Sequence, residues 1–210
     1  MKNDSQNISR FTAAERVNHW LVALSFILLA LSGLVFFHPA FYPLSQLFGG
    51  GVWTRILHPL LGVLMTVLFG LMFLRFREFN RITATDKEWL RHAREMMAGD
   101  DRNMPEADKF NAGQKVLFWL LVACMALLLL SGIVIWRAYF SFLFPLAMIR
   151  LASVMHAAAG AGMIALIMGH IYMSIWTKES TDAMLYGQVR RAWAKQHHAA
   201  WFRQITGGDK

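Results

Sequence analysis

Four stretches of this 210-residue chain are long, apolar and free of charge. Their cores are residues 20–37, 56–74, 116–136 and 151–176, and none holds Asp, Glu, Lys or Arg. A bilayer core needs about 20 such residues to cross as a helix. Hydrocarbon cannot hydrogen-bond a backbone, so every N–H and C=O must be paired within the chain. These runs are too long for barrel strands and read as helices. Composition agrees: 56% of residues are hydrophobic and 16% charged, against roughly 25% charged in soluble domains. An ordinary soluble enzyme is disfavoured, and intrinsic disorder is excluded. Trp20, Trp119, Trp136 and Trp176 lie at or near span ends, where interface anchors sit. The expected fold is an all-α integral membrane bundle of four transmembrane helices, about 20–37, 56–76, 115–136 and 149–176, in one membrane domain over 1–210. The first run also has the flanks of a signal peptide, with Arg10 and Arg16 before it and Ala30-Leu31-Ser32 within it. It is long for such a segment and stays apolar beyond that point.

The charges give a direction. The chain has a formal net charge of +8, and no acidic residue lies between Arg16 and Leu74 or between Val116 and Lys178. Eighteen of the 21 Lys and Arg fall in the head, the segment between the second and third spans, and the tail. Only Arg55, Arg137 and Arg150 fall in the other two loops. The positive-inside rule then puts both termini, the 77–114 loop and the 177–210 tail in the cytoplasm. Topology accounts for the basic balance, and no nucleic-acid partner is needed. Within the large loop, Asp86 to Met97 has the makings of a short interfacial helix, and GDDRNMPEADKFNAGQK has loop chemistry. The single cysteine, Cys124, excludes a disulfide within the chain and any cysteine-built cluster. No internal repeat with a strict period stands out.

Four of the eight histidines lie where a titratable side chain is costly. His19 opens the first span and His58 the second, while His156 and His170 share the fourth. Fourteen residues separate the last two, about 21 Å along a helix and within about 40° of four whole turns. They face one way at two depths. With the topology above, His58 pairs with His156 near the outer face and His19 with His170 near the inner face. Each pair can clamp a flat ligand between helices, and the ligand that suits two neutral imidazoles is haem. Two axial histidines leave iron no open position, which suits electron carriage. Gly62 and Gly160 each follow a ligand candidate by four residues and give a porphyrin room, although small residues also serve plain helix packing. A zinc or copper site needs three or four converging ligands. His38, His92, His197 and His198 lie in loops or tail, where a solvated surface role is the default.

The chain resembles the cytochrome b (gamma) subunits of membrane-bound formate dehydrogenases. The blocks that carry the resemblance are RVNHW at 16–20, RILHP at 55–59, FNAGQK at 110–115, SGIVIWR at 131–137, HAAAG at 156–160, HIYM at 170–173 and WAKQHH at 193–198. Together they span nearly the whole chain. The resemblance implies two haems b with the pairings above, His19, His58, His156 and His170 holding the iron. It also implies a quinone site (menaquinone or ubiquinone) near the inner haem, with Asn111, Gly113 and Gln114 as contacts. Asn111 is equally a good helix cap. The implied donor is an iron–sulfur (beta) subunit at the outer face, fed by a molybdenum or tungsten catalytic (alpha) subunit. Electrons then pass through the two haems to a quinone reduced near the cytoplasmic face. Higher oligomers of such a complex are compatible with this picture. The chain itself has no dinucleotide fingerprint or catalytic triad, so substrate oxidation lies elsewhere.

Two alternatives stay open at this point. Related four-helix cytochromes serve hydrogenases and thiosulfate reductases, which changes the donor and keeps the haems. A haem-free membrane anchor or metal transporter changes the class.

Overall fold

A computed structural model describes residues 6–97 and 104–207. Nine α-helices are seen among the described residues: α1 (Ala13–Phe37), α2 (Gly51–Phe76), α3 (Ala84–Arg91), α4 (Ala93–Met97), α5 (Ala112–Ile135), α6 (Leu146–Trp176), α7 (Ser180–Tyr186), α8 (Arg191–His197) and α9 (Ala199–Thr206). Two 3-10 stretches, Pro39–Phe48 and Ser141–Leu143, follow α1 and α5. Helices α1, α2, α5 and α6 are each long and apolar enough to cross a membrane.

These four helices begin before the apolar runs do, and local chemistry explains each start. Thr12 and Glu15 form a reciprocal cap ahead of α1: the Thr12 amide donates to Glu15 Oε2 at 2.7 Å, and the Glu15 amide donates to Thr12 Oγ1 at 3.3 Å. Gly49 and Gly50, at φ 85° and 95°, turn the chain into α2 through a region that favours glycine. Asn111 and Gln114 cap α5, and α6 starts directly after Pro145, where a missing N–H costs nothing.

The chain's contacts fall into two compact units. The first, Val17–Leu74 with Leu120–Ile171, holds most of the four long helices. Its core is Val22, Met65, Phe69, Met125 and Met163, one or two side chains from each helix. Asn18 Nδ2 ties α1 to α2 by donating to the Leu68 carbonyl at 3.0 Å. Such a bond across helices is worth roughly 1 kcal/mol in a bilayer. Large apolar side chains cover the outside, including Leu24, Ile27, Leu60, Val67 and Leu71. Water would penalise that surface, whereas lipid tails match it.

The second unit is Met1–Arg16, Arg75–Trp119 and Tyr172–Lys210. It contains a small antiparallel ladder between β1 (Asn7–Ser9) and β2 (Gln188–Arg190), with Ile8 opposite Val189. Three-residue strands carry too little alternation to be read from sequence. Gly187 sits at the turn before β2 with φ 82°, and its carbonyl accepts from the Arg10 amide at 2.8 Å. A side chain there would meet the Phe11 carbonyl at 2.7 Å. The expected helix between Asp86 and Met97 is two pieces, α3 and α4, divided at His92. Part of the GDDRNMPEADKFNAGQK stretch, residues 99–103, lies outside the described residues.

Asp86 organises the start of α3. It accepts from the Thr83 amide at 2.7 Å, from Thr83 Oγ1 at 2.8 Å and from Lys115 Nζ at 2.8 Å. Desolvation pushes its carboxyl up, but the Lys115 ammonium and the Thr83 donors outweigh that, so it lies below its ordinary value.

His198 corrects the surface reading given above to the tail histidines. It is 3% exposed. Its Nδ1 lies 2.6 Å from the Asp108 carbonyl and its Nε2 lies 3.1 Å from Arg10 Nη2. A carbonyl only accepts and a guanidinium only donates, so Nδ1 carries the proton and the ring is neutral. Trp193 and Trp201 lie over the Arg10 guanidinium, each centroid 5.1 Å away. The sequence signal for this burial is the tryptophan content of the tail, which a solvated segment does not need. His38 and His197 are exposed, and His92 pairs with Glu95 at 3.0 Å.

Burial first, then the neighbouring Arg10 charge, push His198 down to about 3. Its folded value is below its unfolded one. As pH falls from about 6.5 toward that value, the unfolded tail takes up a proton that the folded tail refuses, and stability is lost. Limited proteolysis of the tail is therefore expected to quicken between about pH 7 and about pH 5, and His198→Gln is expected to flatten that pH dependence.

Candidate functional site

The four span histidines meet in the two pairs that their spacing suggests. The imidazole centroids of His58 and His156 are 6.2 Å apart, and those of His19 and His170 are 6.3 Å apart. α6 supplies one member of each pair, while α2 and α1 supply the others. Met163 of the core lies seven residues from both His156 and His170, about 10 Å along α6 in either direction. An apolar layer thus separates the pairs.

The separation within each pair is informative. Two imidazoles bonded to one metal ion through nitrogens at about 2.0 Å, each with a ring radius of about 1.1 Å, place their centroids about 6.2 Å apart. Direct stacking or a hydrogen bond between the rings would bring them closer. The rings are tilted by 71° and 53°. Among the described residues no group of three or more His, Cys, Asp or Glu side chains is placed to hold a metal ion. The arrangement is two histidines to a pair with no third donor among the described residues, which suits a group that brings its own remaining donors. A planar tetrapyrrole fills that need.

The surroundings fit such a group. Among the described residues, buried His19 Nδ1 has no hydrogen-bond partner. Side chains added at Gly62 and Gly160 would meet only Leu29 at 4.0 Å and Leu128 at 3.9 Å, so space lies open one turn beyond each ligand. Two other glycines approach the rings more closely. A side chain at Gly33 would lie 3.4 Å from His58 Cε1, and one at Gly132 would lie 3.4 Å from His156 Cε1. The serines preceding them complete the arrangement. Ser32 Oγ is 2.8 Å from His58 Nδ1, and Ser131 Oγ is 3.0 Å from His156 Nδ1.

None of these four residues was given a role beside a histidine from the sequence, although Ser131 and Gly132 open the SGIVIWR block, yet a signal exists. Leu31-Ser32-Gly33-Leu34-Val35 and Leu130-Ser131-Gly132-Ile133-Val134 are the same pattern, L-S-G-x-V, on the first and third spans. A histidine follows each serine by 26 or 25 residues.

Asn111, Gly113 and Gln114 lie in the second unit, at the start of α5. The Asn111 amide N–H donates to Gln114 Oε1 at 3.0 Å, and the Gln114 amide N–H donates to Asn111 Oδ1 at 2.9 Å. Both side-chain oxygens are engaged in the cap. The two NH2 groups remain as donors that the cap does not use. The cap and the ligand-contact readings of these residues are thus compatible. Gly113 lies beside the buried Trp89 ring, which a side chain there would touch at 3.5 Å.

Comparison with known proteins bears on all of this. The prokaryotic cytochrome b561 family matches over residues 10–187. The formate dehydrogenase cytochrome b556(fdo) subunit of Escherichia coli strain K12 is 41% identical over 198 residues, 94% of this chain and 93% of that protein. The nitrate-inducible cytochrome b556(Fdn) subunit of the same strain is 40% identical over 205 residues, 98% of this chain and 94% of that protein. The formate dehydrogenase cytochrome b556 subunit of Haemophilus influenzae is 34% identical over 204 residues, 97% and 85% of the two chains.

The pairing has a direct test. His156→Ala is expected to remove one bound haem and leave the other, read as a halved haem-to-protein ratio in purified membranes, and His170→Ala is expected to remove the complementary one.

Proposed function

The chain belongs to the prokaryotic cytochrome b561 family, and from that membership we propose that it is the dihaem membrane subunit of a respiratory formate dehydrogenase. The observation that carries this is the pair of matched imidazole separations, 6.2 and 6.3 Å, in a chain whose relatives are named as formate dehydrogenase cytochromes. Family membership implies haem b in a membrane-embedded electron-transfer protein. The finer reading is that His58 with His156 holds one haem and His19 with His170 a second.

Haem bound between two histidines supplies one-electron carriage with no open coordination position. The protein's part is to fix the ligands. α6 holds His156 and His170 fourteen residues apart, and α2 and α1 present the opposing rings. Met163, packed with Val22, Met65, Phe69 and Met125, puts an apolar layer between the two pairs. The excess of Lys and Arg in the head, the 77–114 loop and the tail supports cytoplasmic termini. His58 and His156 then lie toward the outer face, where an iron–sulfur subunit would dock and pass on electrons from a molybdenum or tungsten catalytic subunit.

The second half of the proposal concerns the acceptor. Asn111 and Gln114 stand at the cytoplasmic end of α5 in this topology. Their unused NH2 donors suit the carbonyl oxygens of a quinone, and the position lets the protons of quinone reduction come from the cytoplasm. Electrons arriving from outside and protons taken up inside would together add to the transmembrane gradient.

Formate added to membranes that contain the complex is expected to reduce b-type haem at about two per chain, read as a visible difference spectrum against dithionite. Reduction by hydrogen or a sulfur compound in place of formate would keep the haems and overturn the donor. Asn111→Ala and Gln114→Ala are expected to leave formate-reduced haem intact while slowing its reoxidation by added quinone. Reoxidation at the unaltered rate in both variants would remove these residues from the acceptor site.

A further inference from the structure

The chain has several serines and threonines inside its long helices, and most do one thing. Ser25 donates to the Leu21 carbonyl at 2.8 Å, Thr66 to the Gly62 carbonyl at 2.8 Å and Ser153 to the Ile149 carbonyl at 2.8 Å. A hydroxyl in an apolar helix satisfies itself this way. Ser32 and Ser131 make the same bond, to the Leu28 and Leu127 carbonyls, and each also reaches a histidine Nδ1. Both are nearly sealed from solvent, at 0% and 5% exposure.

A hydroxyl has one hydrogen to give. With that hydrogen on the i−4 carbonyl, the remaining lone pairs can only accept, so the ring must be the donor. In both rings Nδ1 therefore carries the hydrogen and Nε2 is left bare for a metal. The other pair differs: His19 Nδ1 is buried and, among the described residues, unpartnered.

We propose that Ser32 and Ser131 are positioning residues that fix the ligating tautomer of His58 and His156 and lower the reduction potential of the haem held between them. This rests on the ligand assignment made under Proposed function. A ring that donates from Nδ1 is a stronger base at Nε2, and a more basic ligand favours ferric over ferrous iron. Both ligands of this haem are so held, while the haem of the other pair lacks that support at His19. The His58–His156 haem has the lower potential, and electrons run downhill from it to the His19–His170 haem.

The test is a redox titration of the complex in membranes, following the haem spectra. Ser32→Ala, Ser131→Ala and the double variant are each expected to raise the midpoint of one haem, the double variant most, with the other haem unmoved. Unmoved midpoints in all three, or a shift confined to the other haem, would overturn the inference. Should Ser131→Ala fail to load haem, Ser131→Cys takes its place: its thiol is a weak acceptor, so a raised midpoint is expected and an unmoved one again overturns the inference. Ser131→Thr keeps the hydroxyl and is expected to keep the parental midpoint. His58→Ala in the same membranes separates the two levels of the reading. If it removes no haem, the ligand assignment itself fails. If it removes one haem while the serine variants leave the midpoints unmoved, only the present inference fails.

Discussion

Hydrocarbon offers no partner to a polar group, and the architecture of the four long helices depends on that constraint. It makes the backbone helical across each span. It sends the hydroxyls of Ser25, Ser32, Ser131 and Ser153 back to their own helices. It also makes a buried imidazole costly unless both nitrogens have employment. For His58 and His156, Nδ1 is occupied by a serine, and the two ring centroids lie 6.2 Å apart.

α6 is the element that ties the arrangement together. It contributes a ligand candidate to each pair and a methionine to the layer between them. The small run beside His156, Ala157 to Gly162, keeps this helix slim where a neighbour or a planar group must approach. The structures that position the ends are of another kind. Reciprocal caps at Thr12/Glu15, Thr83/Asp86 and Asn111/Gln114 recur at helix starts, each satisfying amides that a helix start leaves orphaned. At Asn111 and Gln114 the cap also orients two amide groups with donors to spare.

The spans and the histidine pairs were legible in the sequence because both rest on periodicity. Apolar length gives the helix, and fourteen residues give two depths on one face. What escaped was set by contacts between distant positions. No local pattern says that His198 is buried against Arg10, because the two are 188 residues apart. The β1–β2 ladder joins segments too short to show alternation. Ser32 and Ser131 look like ordinary back-bonding hydroxyls until the neighbouring helix is in place. Gly62 and Gly160 were singled out by their spacing from a histidine on the same helix, whereas Gly33 and Gly132 earn their place from a histidine on another.

The repeated L-S-G-x-V pattern divides the two centres by symmetry. A helix hairpin with that pattern on its first arm and a histidine on its second supplies half of the His58–His156 centre, and two such hairpins supply all of it. The His19–His170 centre has no such halves. The residue corresponding to His19 in the second hairpin is Phe118, and the one corresponding to His170 in the first is Met72. A doubled two-helix unit can thus build the first centre from like parts. The second pair requires the two hairpins to differ, so the single chain, with each arm free to carry its own side chains, is what allows two histidine pairs at two levels.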